Sequence, residues 1–355
     1  RLSGLGATVA FNLFVPTLFA LTLTGAFGLV YNLVVARQRA AETGARAAGR
    51  LYGLLGAVFV GILGNLEGLL EVLHSRGLLS AGFWRWLDIK DINVPPVGGG
   101  WMPERFMWWW RASRVIHDCS LQGLASGNCN PPGGDWEVID EFPFFSFLLG
   151  DVHPHVLALP FVLLALGLAL SVFLRVLSRP GEPDDGVADS RMGLAERVLG
   201  GRVEWVVTAA CLGALGFLNT WDFPIYLGVL VVAFALARAG RGGAGWVSET
   251  LRIGLMLAVP GLLLYLPFYL GFQSQAGGLL PNVFNPTRLP QFLVFFGPFV
   301  FVVITYLVVL SRRVALRANL RRLPPALLIA VVGPPVAMLA LILAALVAPG
   351  ARQLV

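Results

Sequence analysis

An aspartate and two histidines stand together at one point of the chain. The run Asp140–His155 (DEFPFFSFLLGDVHPH) sets Asp151, His153 and His155 immediately ahead of a long apolar stretch. Asp151 and His155 share a face if the local turn is helical, and His153 and His155 share one if it is extended. Such a set suits a divalent metal, Mg or Mn, or can hold a phosphate when the imidazoles are protonated or donate N–H. The plainer reading is a histidine pair at a helix start, with Asp151 as N-cap and Pro154 in the first turn.

Other polar residues sit close to apolar runs, where each needs a reason and function is the default one. Asp222 falls in Asn219-Thr220-Trp221-Asp222, between two runs that together are short for two full crossings, so the connector should turn below the surface. Pro224 disfavours helix at Phe223 and places the break there. A carboxylate at such depth belongs in a cavity or buried in protein. Asp222 is therefore the first candidate catalytic residue, with Glu67 the second. Glu67 lies ~25 Å beyond Arg50 at ~1.5 Å per residue, and Glu67, Glu71 and His74 share a helical face. Glu71 and His74 read as a helix end emerging into water. Arg288 is the one charge of its loop, beside Gln273, Gln275, Asn282 and Asn285. It suits phosphate capture or a snorkelling anchor. Arg111 and Arg114 are further phosphate candidates, although a local pair of Arg114 with Asp118 is the ordinary alternative.

The elements that must position these groups are transmembrane helices. Of 355 residues, 57% are hydrophobic and 13% charged, far from the ~25% charged of soluble domains. Runs of about 20 apolar residues cross a bilayer. They predict an all-α membrane bundle of about eight spans near 5–35, 51–73, 156–177, 203–218, 223–237, 253–270, 292–310 and 326–347. Net charge is +6, but the arginines cluster in short loops, a membrane pattern and not a nucleic-acid footprint. Arg37, Arg39, Arg46 and Arg50 follow the first span; Arg175 and Arg179 the third; Arg238 and Arg241 the fifth; Arg312 and Arg313 the seventh. The positive-inside rule makes these loops cytoplasmic and puts both chain ends and the 74–145 loop outside the cytoplasmic membrane. That loop carries the Trp-rich pieces Phe83–Trp86 and Trp101–Arg114, a composition suited to interfacial anchoring. Residues 178–193 read as a flexible cytoplasmic linker. Cys119 and Cys129 share the outer loop and can pair there; Cys211 lies in an apolar run, and no zinc-type spacing occurs.

Three strings carry a resemblance: Glu141–Phe161 (EFPFFSFLLGDVHPHVLALPF), Gly216–Tyr226 (GFLNTWDFPIY) and the stretch from Leu266 to Leu293 (LPFYLGFQSQAGGLLPN, then TRLPQFL). They resemble the Chlor_Arch_YYY membrane family of Chloroflexi and archaea, from the first span to about Gly297. The resemblance implies a GT-C-like fold and a glycosyltransferase that uses a polyprenyl-phosphate-linked sugar at the outer membrane face. It would assign metal or phosphate contact to Asp151, His153 and His155, the acceptor or donor groove to Asp222 and Glu67, and lipid phosphate to Arg288 with Gln273. The family's YYYxG motif is missing from this chain, whose tyrosines, six in number, stand apart. With no initiator Met, the expectation is an internal piece of a longer protein. Two other readings compete: a non-catalytic subunit of a larger membrane assembly, for which Gly-rich spans serve packing, and a lipid or solute transporter. Expected partners are membrane lipids, the polyprenyl-phosphate sugar and other membrane subunits, with no nucleic acid.

Overall fold

The computed structural model describes residues 4–38, 44–96, 98–116, 137–178, 198–241, 245–273 and 287–313, with Val336 and Ala340. Among these residues every regular element is helical. In chain order the α-helices are α1 Ala7–Gln38, α2 Ala45–Gly61, α3 Glu67–Ser75, α4 Ala81–Leu87, α5 Pro143–Leu149 and α6 Pro154–Ser178. They continue with α7 Arg202–Leu218, α8 Asp222–Gly240, α9 Trp246–Leu264, α10 Leu266–Gly271 and α11 Leu289–Arg313. A 3₁₀ turn covers Trp108–Ser113. Among the described residues five helices are long and apolar enough to cross a membrane: α1, α6, α8, α9 and α11. Helices α2 and α7 have 17 residues each, just under the usual minimum. The predicted 326–347 span, the 178–193 linker beyond Ser178, Cys119, Cys129, Asp118, Gln275, Asn282 and Asn285 lie outside the described residues.

One predicted span is corrected. Residues 51–73 are not a continuous helix, because α2 ends at Gly61 and α3 begins only at Glu67. Local chemistry makes the break: the Asn65 side chain accepts from the Glu67 N–H at 3.1 Å and donates to the Ala112 carbonyl at 2.5 Å. The Leu66 N–H leaves the helix ladder for the Val294 carbonyl at 2.9 Å. Hydropathy runs straight through this point and conceals it.

The chain divides into two compact units: Arg1–Leu63 with Ser146–Ser274, and Gly64–Phe145 with Gln275–Val355. In the first, α1 and α2 pack antiparallel through the glycines of α2: a Cβ on Gly53 would meet the Phe27 ring at 2.9 Å and one on Gly56 the Val30 side chain at 2.6 Å. Small residues let membrane helices approach where no hydrophobic drive separates protein from lipid. Ala165 and Ala169 of α6 pack with Leu212, Leu230, Phe234 and Leu257 of the neighbouring helices. Helices α6 and α8 run in the same direction, since the Arg241 guanidinium at the end of α8 donates to the Val176 carbonyl at the end of α6, at 2.8 Å. Their starts therefore lie together as well, at the far end from Arg175, Arg238 and Arg241.

In the second unit, Trp84 is fully buried with Leu87, Ile89, Ile92, Val115 and Val294. Its indole N–H is satisfied by the Leu78 carbonyl at 3.1 Å. Helix α4 begins on Ser80, whose hydroxyl accepts from the Phe83 N–H at 3.2 Å, and ends on Asp88 in the left-handed region. Around this core the Trp-rich piece leaves Trp101 and Phe106 strongly exposed, with Arg76 over the Trp101 ring at 3.6 Å.

Candidate functional site

The first unit gathers polar groups where α6 and α8 begin. Helix α5 closes with Gly150 in the left-handed region, φ 67°, while the Asp151 N–H reaches back to the Ser146 carbonyl at 3.0 Å. This glycine turn swings the chain round, and α6 starts at Pro154, four residues after Gly150. The His153 carbonyl takes the first backbone bond, from Val156 at 3.0 Å. His153, not Asp151, thus holds the cap position, and Pro154 opens the helix, where its missing N–H costs nothing. The Asp151 carboxylate meets His153 Nδ1 at 3.0 Å. The His153 and His155 rings stack at 5.6 Å between centroids, which is the extended alternative of the two pairings.

Asp222 opens α8 after the short turn from Asn219, whose carbonyl accepts the Asp222 N–H at 2.9 Å. The helix starts one residue before the expected break, with Pro224 accommodated in its first turn. Asp222 is half-buried, takes a hydrogen bond from the Asn219 side chain and lies within electrostatic reach of His155. Four of the predicted residues, Asp151, His153, His155 and Asp222, therefore share one end of this unit, as two linked pairs. The Asp151 oxygen and the His153 nitrogen are close enough to serve one metal ion. A mixed carboxylate and imidazole set fits Mn better than Mg, which favours oxygen ligands. Gln273 is exposed just beyond α10.

The second unit holds a different constellation, a chain of ion pairs. Lys90 meets Glu137 at 2.9 Å and Glu137 meets Arg111 at 2.7 Å. Arg111 and Arg105 each meet Asp91 at 2.6 Å, and Arg105 continues to Glu71. Glu67, one turn from Glu71, ends the series. It is fully buried, and neither of its oxygens has a hydrogen-bond partner. Burial is the largest cause pushing the Glu67 carboxyl well above its ordinary range, and the charge of Glu71 adds to it. Nearby, both oxygens of Asp140 accept from the Val115 N–H, at 3.1 and 3.2 Å. Burial lifts this carboxyl to about 7, against the lowering effect of its backbone bonds.

These placements alter several expectations. Glu71 does not emerge into water; it is buried and paired with Arg105. Glu67 lines no open groove, being 0% exposed. Arg111, expected at a phosphate, gives its two Nη groups to Glu137 and Asp91. Arg114 turns to the Ser113 carbonyl and hydroxyl and lies over the Trp110 ring at 5.3 Å. Arg288 is paired with Asp88 and also reaches the Trp86 carbonyl at 3.3 Å. Arg105, Asp91, Glu137 and Asp88 were not foreseen. The one available signal was the acid–base alternation of the loop that holds them.

The model of a family described as Uncharacterized membrane protein (DUF2298) matches residues 1–353. No curated protein and no solved structure gives a significant match. A chain whose described residues form helices as their regular elements, five of them apolar and of membrane-crossing length, and which this family model matches over nearly its whole extent, belongs to the DUF2298 family of membrane proteins.

Proposed function

We propose that the protein is a GT-C-like glycosyltransferase drawing on a polyprenyl-phosphate-linked sugar at the outer face of the cytoplasmic membrane, within a bundle of about eight spans. The observation that carries this reading is that Asp222 and the Asp151–His153–His155 group stand at the neighbouring starts of two long apolar helices that run in the same direction. The arginines lie at the opposite helix ends, so the positive-inside rule would put this cluster outside. The resemblance to the Chlor_Arch_YYY family supports the same reaction class.

In such a transfer the acceptor hydroxyl oxygen bonds to the anomeric carbon while the bond from that carbon to the donor phosphate breaks. The hydroxyl proton goes to a carboxylate, here Asp222. Its electrostatic neighbour His155 and its hydrogen bond from Asn219 would orient it. Negative charge grows on the departing lipid phosphate, and fixed donors aimed at that charge stabilise the transition state. His153 and His155 are such donors, reinforced by the N-terminal dipoles of α6 and α8. A divalent ion held by Asp151 and His153 would supply further neutralisation of the phosphate. Glu67 has no exposed surface from which to act as base.

The test is sugar transfer from a polyprenyl-phosphate donor by the full-length protein, with melting temperature recorded beside it. Asp222→Asn and His153→Ala should each lower transfer ~100- to 1000-fold with little change in melting temperature. Near-normal transfer in both variants would remove the cluster from catalysis and favour a non-catalytic subunit of a larger membrane assembly. The observation on that side is that Asp151 and Asp222 each already have a partner nearby, in His153 and Asn219.

A further inference from the structure

Helices α1 and α6 touch where Gly25 meets Leu163, with an added Cβ at 3.1 Å, and they diverge on one side to leave a cavity of about 910 Å³. Its volume is in the ~300–1,000 Å³ range of ligand sites. Thr24, Gly28 and Asn32 line it from α1, and Gly167, Ser171 and Arg175 from α6. The hydroxyl of Thr24 and the amide N–H of Asn32 are spent on their own helix, on the Ala20 and Gly28 carbonyls at 2.7 Å each. The wall between these groups is otherwise apolar.

Two features point to an occupant. Glycine is a poor helix former, yet Gly28 and Gly167 lie inside helices with nothing within 4 Å of an added Cβ. Unlike Gly53 and Gly56 of α2, they permit no close helix contact; what they do is keep the groove open. The second feature is Arg175. No carboxylate partner meets its guanidinium among the described residues, and the Gly200 turn, φ 118°, leaves just the room that the guanidinium fills. A cation fixed at the mouth of an apolar groove complements an amphiphile with an anionic head.

We infer that this groove binds one chain of an anionic phospholipid from the leaflet at the arginine-bearing end of the helices, with the lipid phosphate on Arg175. From Pro160 to Arg175 the wall rises ~22 Å at ~1.5 Å per residue, enough for an acyl chain across a leaflet of ~15 Å, half the hydrocarbon core. The guanidinium matches a phosphate in a bidentate manner. Its phosphate end, at Arg175, is at the opposite end of α6 from Asp151, and the inference does not depend on the proposed transfer reaction.

The experiment uses the purified full-length protein in detergent, titrated with dioleoyl phosphatidylglycerol, dioleoyl phosphatidylcholine or inorganic phosphate, with bound lipid read by native mass spectrometry. Phosphatidylglycerol should be retained over phosphatidylcholine by ~5-fold, the attraction of one basic residue for an anionic head. Arg175→Gln should abolish that preference. Gly167→Leu, at a site where an added Cβ meets nothing within 4 Å, should reduce retention of both lipids while leaving the fold intact, and Gly28→Leu provides a second filling variant. Equal retention of the two lipids by the unaltered protein would overturn the inference. So would unchanged selectivity in Arg175→Gln, or unchanged retention in both filling variants. Competition by millimolar inorganic phosphate as effective as that of the lipid would reduce the site to a headgroup contact and likewise overturn the acyl groove.

Discussion

Because neither oxygen of Glu67 meets a donor, the folded protein favours the protonated carboxyl and binds a proton that the unfolded chain releases. The sign of the pH dependence follows. A raised carboxyl contributes stability that is fully present below its ordinary value, 4.5 for Glu67, and is lost as pH rises through the folded value. Asp140 behaves alike over the window from 3.8 to about 7. Melting temperature should therefore fall as pH rises from 3.8 to about 7, less steeply in Asp140→Asn, and Glu67→Gln should lose the part of the pH dependence that begins above 4.5. Recovery of ~1 kcal/mol at pH 8 would read as ~2–4 °C. Identical pH profiles for all three proteins would show that these carboxyls are not held protonated. Glu71→Gln should act oppositely, lowering melting temperature at every pH, since it strips Arg105 of a buried partner at a cost of ~1–3 kcal/mol. At this scale the sequence was half legible. The depth of Glu67 and its i, i+4 relation to Glu71 stood out. The pairing of Lys90, Asp91, Arg105, Arg111 and Glu137 did not, because it depends on how a long loop closes on itself.

Helices were more legible than residues, since hydropathy and arginine placement mark the two ends of a span independently. The run starting near Val156 became α6, and Arg175 stands in its last turn. The break between α2 and α3 was hidden because Ile62, Leu63 and Leu66 keep the run apolar while a distant carbonyl, Val294, draws the backbone away. Glycine spacing carries information that hydropathy misses. At Gly213 of α7 an added Cβ would run into the Gly261 carbonyl of α9, and at Gly216 into the Tyr269 hydroxyl. Backbone cannot yield as a side chain can, so Gly213→Val should force α7 and α9 apart. Overpacking of this kind costs ~1–3 kcal/mol. It should also lengthen the Trp205 indole bond to the Met256 carbonyl, 2.8 Å in the native fold. A lower melting temperature with a red-shifted Trp emission is the expected result. A melting temperature equal to that of Gly228→Val, a glycine with open space around it, would show that the two helices are not in register through these glycines.

For the molecule as a whole, the sidedness of charge is the property with the widest consequences. In the first unit Arg175, Arg238 and Arg241 end helices that begin at His153 and Asp222, so one end is basic and the other carries the carboxylate–imidazole cluster. Basic residues flanking spans are retained on the cytoplasmic side; under that rule the cluster would face outward, where the proposed reaction would meet a lipid-linked donor. The prediction can be checked in intact cells with a membrane-impermeant maleimide, after Cys119, Cys129 and Cys211 have been replaced by serine. A cysteine introduced at the exposed Ser178, at the end of α6, should stay unmodified until the membrane is permeabilised. One introduced at the exposed Asn93, in the 74–145 loop between its two Trp-rich pieces, should react at once. Labelling of Ser178→Cys but not Asn93→Cys would invert the topology. It would turn the Asp151–Asp222 cluster toward the cytoplasm, and the donor would then have to be a water-soluble activated sugar or a lipid of the inner leaflet.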